Sequence, residues 1–197
     1  MGQVLPLRPG TSAEADLVGR CLRGDADAWR DLYLAHADKV GRLLRRVGVP
    51  PADLEDVLQD TFVALHASLD DFDARVPLRT WLLGIAMNVV RSHRRRTWRR
   101  RVARLTGFEG WADPSATDSG LALERSEAAR ELQWIVDRMS DKQREVFVLY
   151  EIEGLDGPSI ARMLGCSVNT VWSRARLAKE DFRRLLRQRA TVRGGGG

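Results

Sequence analysis

The stretch DGPSIARMLGCSVNTVWSRARLAK, residues 156–179, decides how this chain is read. A helix can start at Asp156, whose carboxylate can cap the free amides of a first turn that also tolerates Pro158. Ile160, Ala161 and Leu164 then form an apolar stripe that ends at Gly165. Ser167 can cap a second helix whose apolar face is Val171, Ala175, Ala178, Phe182 and Leu185. Ala161 is small where two helices would cross closely, Gly165 permits a turn, and Val171 can plug the angle between them. This is a helix-turn-helix pattern. Thr170, Trp172, Ser173, Arg174 and Arg176 point outward from the second helix, with Lys179 further along, a set able to reach base edges and phosphates in a major groove. A plain helical hairpin with a solvated basic face is the alternative. The coincidence of small, turn and plug residues at the right offsets favours DNA binding.

Outward from this motif, helical periodicity spans Glu124 to about Arg189 and, separately, Asp16 to about Arg104, and strand-like alternation never lasts long enough to compete. Between them Gly107, Gly110, Pro114, Ser115 and Gly120 accumulate and periodicity fails. The expected fold is all-α: two small helical domains joined by a flexible linker, the second containing the helix-turn-helix. The boundaries are a flexible tail over 1–13, a first domain over 14–104, a linker over 105–124, a second domain over 125–190 and a closing tail over 191–197.

Composition bounds the function. The chain has 197 residues, 44% of them hydrophobic, enough for packed cores, and a net charge of +5 carried mostly by arginine. A polyanionic partner fits that balance. Cys21 and Cys166 are too few for a disulfide framework and read as buried, reduced thiols, and no apolar run approaches the roughly 20 residues of a membrane span. A cytoplasmic protein with no membrane partner is expected. His36, His66 and His93 show no metal-ligand spacing, and no P-loop, Cys-His constellation or paired metal-binding carboxylates occur. Neither catalysis, nor a cofactor, nor a metal site is expected.

Charge is segregated more sharply than the net figure. Asp53, Glu55, Asp56, Asp60, Asp70, Asp71 and Asp73 occupy one segment without lysine or arginine, whereas the next carries Arg91, Arg94, Arg95, Arg96, Arg99, Arg100, Arg101 and Arg104. The acidic segment predicts a helix over Ala52–Leu69 that buries Leu54, Val57, Leu58, Thr61, Phe62, Leu65 and Leu69 and leaves Asp53, Asp56, Gln59 and Asp60 exposed. Such a face does not suit DNA; on spacing alone, a protein partner and a merely solvated surface are equally good readings. The basic segment predicts a helix that emerges from the loop 73–77 and buries Leu78, Trp81, Leu82, Ile85, Ala86, Val89 and Val90. Asn88, Arg91, Ser92 and Arg95 recur on another face, with Phe72, Trp81 and Trp98 near enough in sequence to offer stacking surfaces to single-stranded nucleic acid. Core packing is the competing reading for each aromatic residue.

These motifs, in this order, resemble the sigma-70 family of bacterial transcription factors, and in particular its minimal extracytoplasmic-function group. The resemblance runs from Leu17 to about Leu186 and rests on DLEDVLQDTF (53–62), TWLLGIAMN (80–88), DKQREVF (141–147), LGCS (164–167) and TVWSR (170–174). It implies that Asp53, Asp56, Gln59 and Asp60 dock on core RNA polymerase. It implies that Phe72 to Arg79, including Arg75 and Arg79, cradle a flipped base of the downstream (−10) promoter element. Asn88 and Arg91 would read or hold the displaced strand, and Trp81, Ser92 and Arg95 are counted with them in −10 binding and melting. Arg144 and residues 170–179 would read the upstream (−35) element as duplex; because Arg144 comes from an earlier helix, it is expected mainly to position the domain on phosphate. Partners would be polymerase and promoter DNA, duplex and single-stranded, with an anti-sigma protein as an open partner. An autonomous helix-turn-helix regulator that dimerises through its first domain remains the alternative; it would bind a palindromic duplex without polymerase. The sequence also departs from the family. His66 stands where tryptophan is common, Met139-Ser140 replace leucine-proline, and Asn169 and Trp172 replace glycine and lysine. Asn169 is expected to supply a positive backbone angle, and Trp172 with Arg176 an unusual upstream preference.

Overall fold

The computed structural model describes residues 12–105 and 126–194. Among them there are helices and no strands: α1 (Ser12–Leu22), α2 (Ala26–Arg46), α3 (Leu54–Ser68), α4 (Leu78–Leu105), α5 (Glu127–Val136), α6 (Asp141–Phe147), α7 (Gly157–Leu164) and α8 (Val168–Gly194). The expected tails and linker lie outside the described residues except at their edges, where α1 begins at Ser12, α4 reaches Leu105 and α8 continues to Gly194. Packing divides the chain into two units, one built on α1 to α4 and one on α5 to α8.

In the first unit α3 and α4 pack along each other. The predicted stripe of α3 is buried at Leu54, Val57, Leu58, Thr61 and Leu65, while Phe62 is half-buried. Thr61 is tolerated inside the helix because its hydroxyl donates to the Val57 carbonyl at 2.7 Å. The helix is shorter than the predicted 52–69. A 3₁₀ turn over Pro51–Asp53 precedes it and another over Leu69–Asp71 follows, the first set by Pro51, which can start a helical turn but not continue one backward. On α4, Leu78, Leu82, Ala86 and Val90 are buried as expected, and Leu83 and Met87 join them. Trp81, Ile85 and Val89 are only half-buried. Burial of each such aliphatic side chain is worth roughly 1.5–3 kcal/mol, and that is what holds so arginine-rich a helix on the core.

In the second unit, α6 and α7 both pack on α8. Ser126 caps α5, its hydroxyl accepting from the Ala129 amide at 3.1 Å. A π-helical turn over Val148–Ile152 prolongs α6. Val146, Val148, Leu149, Ile160, Val171 and Ala178 are fully buried, and Phe147 stacks on Phe182 with centroids 5.1 Å apart.

Candidate nucleic-acid interface

The helix-turn-helix forms as its residues dictate. The Asp156 carboxylate accepts from the Ser159 amide at 2.7 Å and from its hydroxyl at 3.0 Å, capping α7. Gly165 ends α7 in the left-handed region at φ 61°, where a side chain would be strained. Ser167 caps α8 by accepting from the Thr170 amide at 3.1 Å. Val171 is 0% exposed in the angle between the helices, and Ala161 is buried at their crossing. The expectation for Asn169 is overturned: it lies inside the first turn of α8, and among the described residues no residue other than glycine has positive φ. Gly165 alone supplies the turn, so Asn169 needs no special backbone angle.

The outward residues of α8 differ in freedom. Ser173 and Arg176 are exposed, and Arg176 pairs with Glu180 at 2.8 Å, a surface bond worth little in water. Thr170 and Arg174 are half-buried; the Thr170 hydroxyl meets that of Ser167 at 2.8 Å, and the Arg174 guanidinium lies 3.9 Å from the Cys166 sulfur. Lys179 pairs with Glu151 at 2.9 Å and sits over the Tyr150 ring at 5.4 Å. Trp172, 40% exposed, is not free either: its ring meets Tyr150 edge-on with centroids 5.5 Å apart and lies over Gly157.

The side chain of Arg144, from which a phosphate contact is expected, is held mostly within its own unit. Its side chain is only 12% exposed. Its guanidinium donates to the carbonyls of Val136 at 2.7 Å and of Asp137 and Met139 at 3.0 Å. These carbonyls belong to the end of α5 and the turn after it, groups left without helical partners. Arg144 ties that turn to α6.

In the first unit the residues around the loop 72–77 come together. Phe72 and Trp81, both half-buried, pack with centroids 5.2 Å apart and planes inclined by 56°. Asp73 and Arg75 pair at 2.7 Å, and hydrogen bonding from the Arg75 guanidinium holds the Asp73 carboxyl below its ordinary range. Arg79 is half-buried at the start of α4. Further along α4, Asn88 and Arg95 are exposed, Arg91 and Ser92 half-exposed, and Arg91 donates to the Asn88 side-chain oxygen. Trp98, 65% exposed, is not a core residue.

The acidic face of α3 has Asp56, Gln59 and Asp60 exposed and Asp53 half-buried. From α4 the His93 imidazole lies 3.1 Å from the Asp53 carboxylate, and Arg96 lies 3.8 Å from Asp60. Sequence reasoning left both residues out of this site, because contacts across 40 and 36 residues follow only from how two helices are phased against each other. A groove of about 700 Å³ lies beside the acids between α2 and α3. Trp29, Tyr33, Phe62, Val63 and His66 line it, together with Gln59. His66, in the place of a common tryptophan, stacks on Trp29 with centroids 4.7 Å apart. Of the cysteines, Cys21 is buried and Cys166 half-buried, and neither is in a disulfide. Among the described residues no cluster of His, Cys, Asp and Glu could hold a metal, and no helix is long and apolar enough to cross a membrane.

A helix-turn-helix in one unit, with an arginine-rich helix beside an acidic face in the other, is the arrangement of a DNA-binding protein. Two family models match, Sigma-70 region 2 over residues 32–100 and Sigma-70 region 4 over residues 129–182. The chain is 32% identical over 179 residues to the RNA polymerase sigma factor NccH of Alcaligenes xylosoxydans xylosoxydans, covering 89% of this chain and 95% of that one. It is 29% identical over 171 residues to the ECF RNA polymerase sigma-E factor of Escherichia coli, covering 83% and 89%. The solved structure of CnrH in complex with the cytosolic domain of CnrY superposes with a TM-score of 0.60 at 31% identity, covering 87% of this chain and 96% of that one. This chain belongs to the sigma-70 family, in its extracytoplasmic-function group. It is a sigma factor, which binds RNA polymerase and recognises promoters.

Proposed function

We propose that the two units divide promoter recognition between a strand-holding surface on α4 and a duplex-reading surface on α8, while α3 carries the polymerase contact. The observation that carries this division is the separation of charge: the acids of α3 adjoin an apolar groove, whereas the exposed polar stripe of α4 and the outer face of α8 are basic. Asp53, Asp56, Gln59 and Asp60 form the docking face on core polymerase, and the groove beside them supplies apolar area that a charged face alone lacks.

Phe72, Arg75, Arg79 and Trp81 form the edge of a pocket for an unstacked base of the −10 element, and Asn88, Arg91, Ser92 and Arg95 hold the displaced strand. Flipping a base costs a few kcal/mol, and stacking worth about 1–3 kcal/mol per base offsets it. Thr170, Trp172, Ser173, Arg174, Arg176 and Lys179 face the −35 duplex. Ser173 and Arg176 read bases; Arg144, whose Nε and Nη2 are bonded to carbonyls of its own unit, acts through the fold of that unit rather than on phosphate. The protein works by binding energy, with no catalysis or cofactor of its own, in the cytoplasm. An anti-sigma protein is a natural regulator, given that CnrH is solved with CnrY.

Run-off transcription with purified core polymerase on promoter fragments tests this reading. Initiation that depends on the added protein is the expected result. Tight binding of the isolated protein to a palindromic duplex, with no polymerase-dependent initiation, would favour an autonomous regulator instead.

A further inference from the structure

Trp172 stands in an unusual place for a tryptophan. It directly follows the buried plug Val171 on the outer side of the recognition helix, beside Ser173 and one turn before Arg176, yet it keeps 40% of its surface exposed. Its conformation is held from two sides. A Cβ added at Gly157 would lie 2.5 Å from the indole Cζ2, so the first residue of α7 must lack a side chain for the ring to rest there. On another side the Tyr150 ring meets it edge-on at 85°. Tyr150 is presented by the π-helical turn and is itself covered by Lys179, which Glu151 pins at 2.9 Å. The result is a braced aromatic wall along the start of α8, ordered before any DNA arrives, so little side-chain entropy is left to lose on binding.

An indole cannot do what a basic side chain does at such a position. It has one donor, no acceptor and no charge, so it cannot grip phosphate or make a bidentate contact to guanine. It offers an apolar ring. The apolar feature that a base pair presents in the major groove is the 5-methyl group of thymine.

Resting on the assignment of α8 to the upstream duplex, we propose that Trp172, braced by Tyr150 and seated on Gly157, is a specificity-determining residue that selects a thymine by its 5-methyl group. Trp172 and Arg176 are four residues apart on one helix face, a rise of about 6 Å, or roughly two base steps. The selected thymine therefore lies within about two base pairs of the base read by Arg176.

The test uses holoenzyme assembled from the full chain and core polymerase. Promoters are selected from a library randomised only in the upstream element, and each thymine of the winners is replaced in turn by deoxyuridine, which removes the methyl group and nothing else. One replacement should weaken holoenzyme binding about fourfold, the equivalent of one buried methyl. The same replacement should cost nothing to holoenzyme carrying Trp172→Ala, and less than fourfold to holoenzyme carrying Gly157→Ala, which forces the indole off its seat. A selected element without a fixed thymine, a scan with no effect at any position, or an equal loss with Trp172→Ala would each overturn the proposal. The scan on the unaltered protein needs no variant to fold. In any of these failures, relaxed discrimination with Arg176→Ala would leave the duplex-reading role of α8 intact; if Arg176→Ala also changes nothing, that role fails first.

Discussion

Two helices of this protein, α4 and α8, are rich in arginine, and they deploy it differently. Along α4 the polar side chains from Asn88 to Trp98 emerge over several turns; some lie open and some lean on the acids of α3, as His93 does on Asp53 and Arg96 on Asp60. On α8 the stretch proposed to read duplex is confined to the first turns after the Ser167 cap, and its neighbours are held by aromatic packing, by the Glu151 pair and by the α7 junction. A separated strand has no fixed shape, so a long, adaptable surface suits it. A duplex groove is rigid and rewards side chains placed within tenths of an ångström. Arginine content alone does not distinguish these roles; what surrounds each guanidinium does.

The comparison can be broken first at the polymerase face. Reversing charge with Asp56→Arg and Asp60→Arg should abolish co-purification with core polymerase, because like charges juxtaposed across an interface cost several kcal/mol, while helical content by circular dichroism stays unchanged. Retained binding would place docking elsewhere. Next in size, Arg144→Ala should lower the stability of the second unit by about 1.5–3 kcal/mol, the range for charged hydrogen bonds, and lower its melting temperature without changing which upstream sequence is preferred. An altered preference with unchanged stability would return Arg144 to the DNA.

Arg176→Ala should cost about 1–3 kcal/mol on the preferred upstream element and relax discrimination at one base pair, read by holoenzyme binding to single-base promoter variants. The smallest effect belongs to α4. Arg91→Ala and Arg95→Ala should each reduce the slope of log K against log salt by roughly 0.7, the value for one phosphate of a single strand, with little change in sequence preference. If these two variants changed base preference while Arg176→Ala changed only the salt slope, the contrast between adaptable and rigid surfaces would be reversed.

What the sequence determined by itself is whatever depends on neighbours within a few residues. Asp156 and Ser167 as caps, Gly165 as the left-handed stop and the buried stripes of α3 and α8 were all legible, because capping, turn chemistry and helical periodicity are local. The segregation of acids and arginines into successive segments was legible for the same reason, and so was the resemblance to the family, which is carried by short contiguous motifs. The tertiary structure decided the rest. Arg144 shares an exposed-looking helix with Lys142, yet only the fold brings three carbonyls around its guanidinium. Asn169, open to either backbone region by its chemistry, was committed to the helix by the turn that Gly165 had already made. His93 and Arg96 met Asp53 and Asp60, and Trp172 met Tyr150 and Gly157, through helix crossings that no spacing along the chain encodes. Periodicity states which face of a helix is buried; it does not state what that face, or the polar one, will touch, because that depends on the angle and phase at which two helices pack.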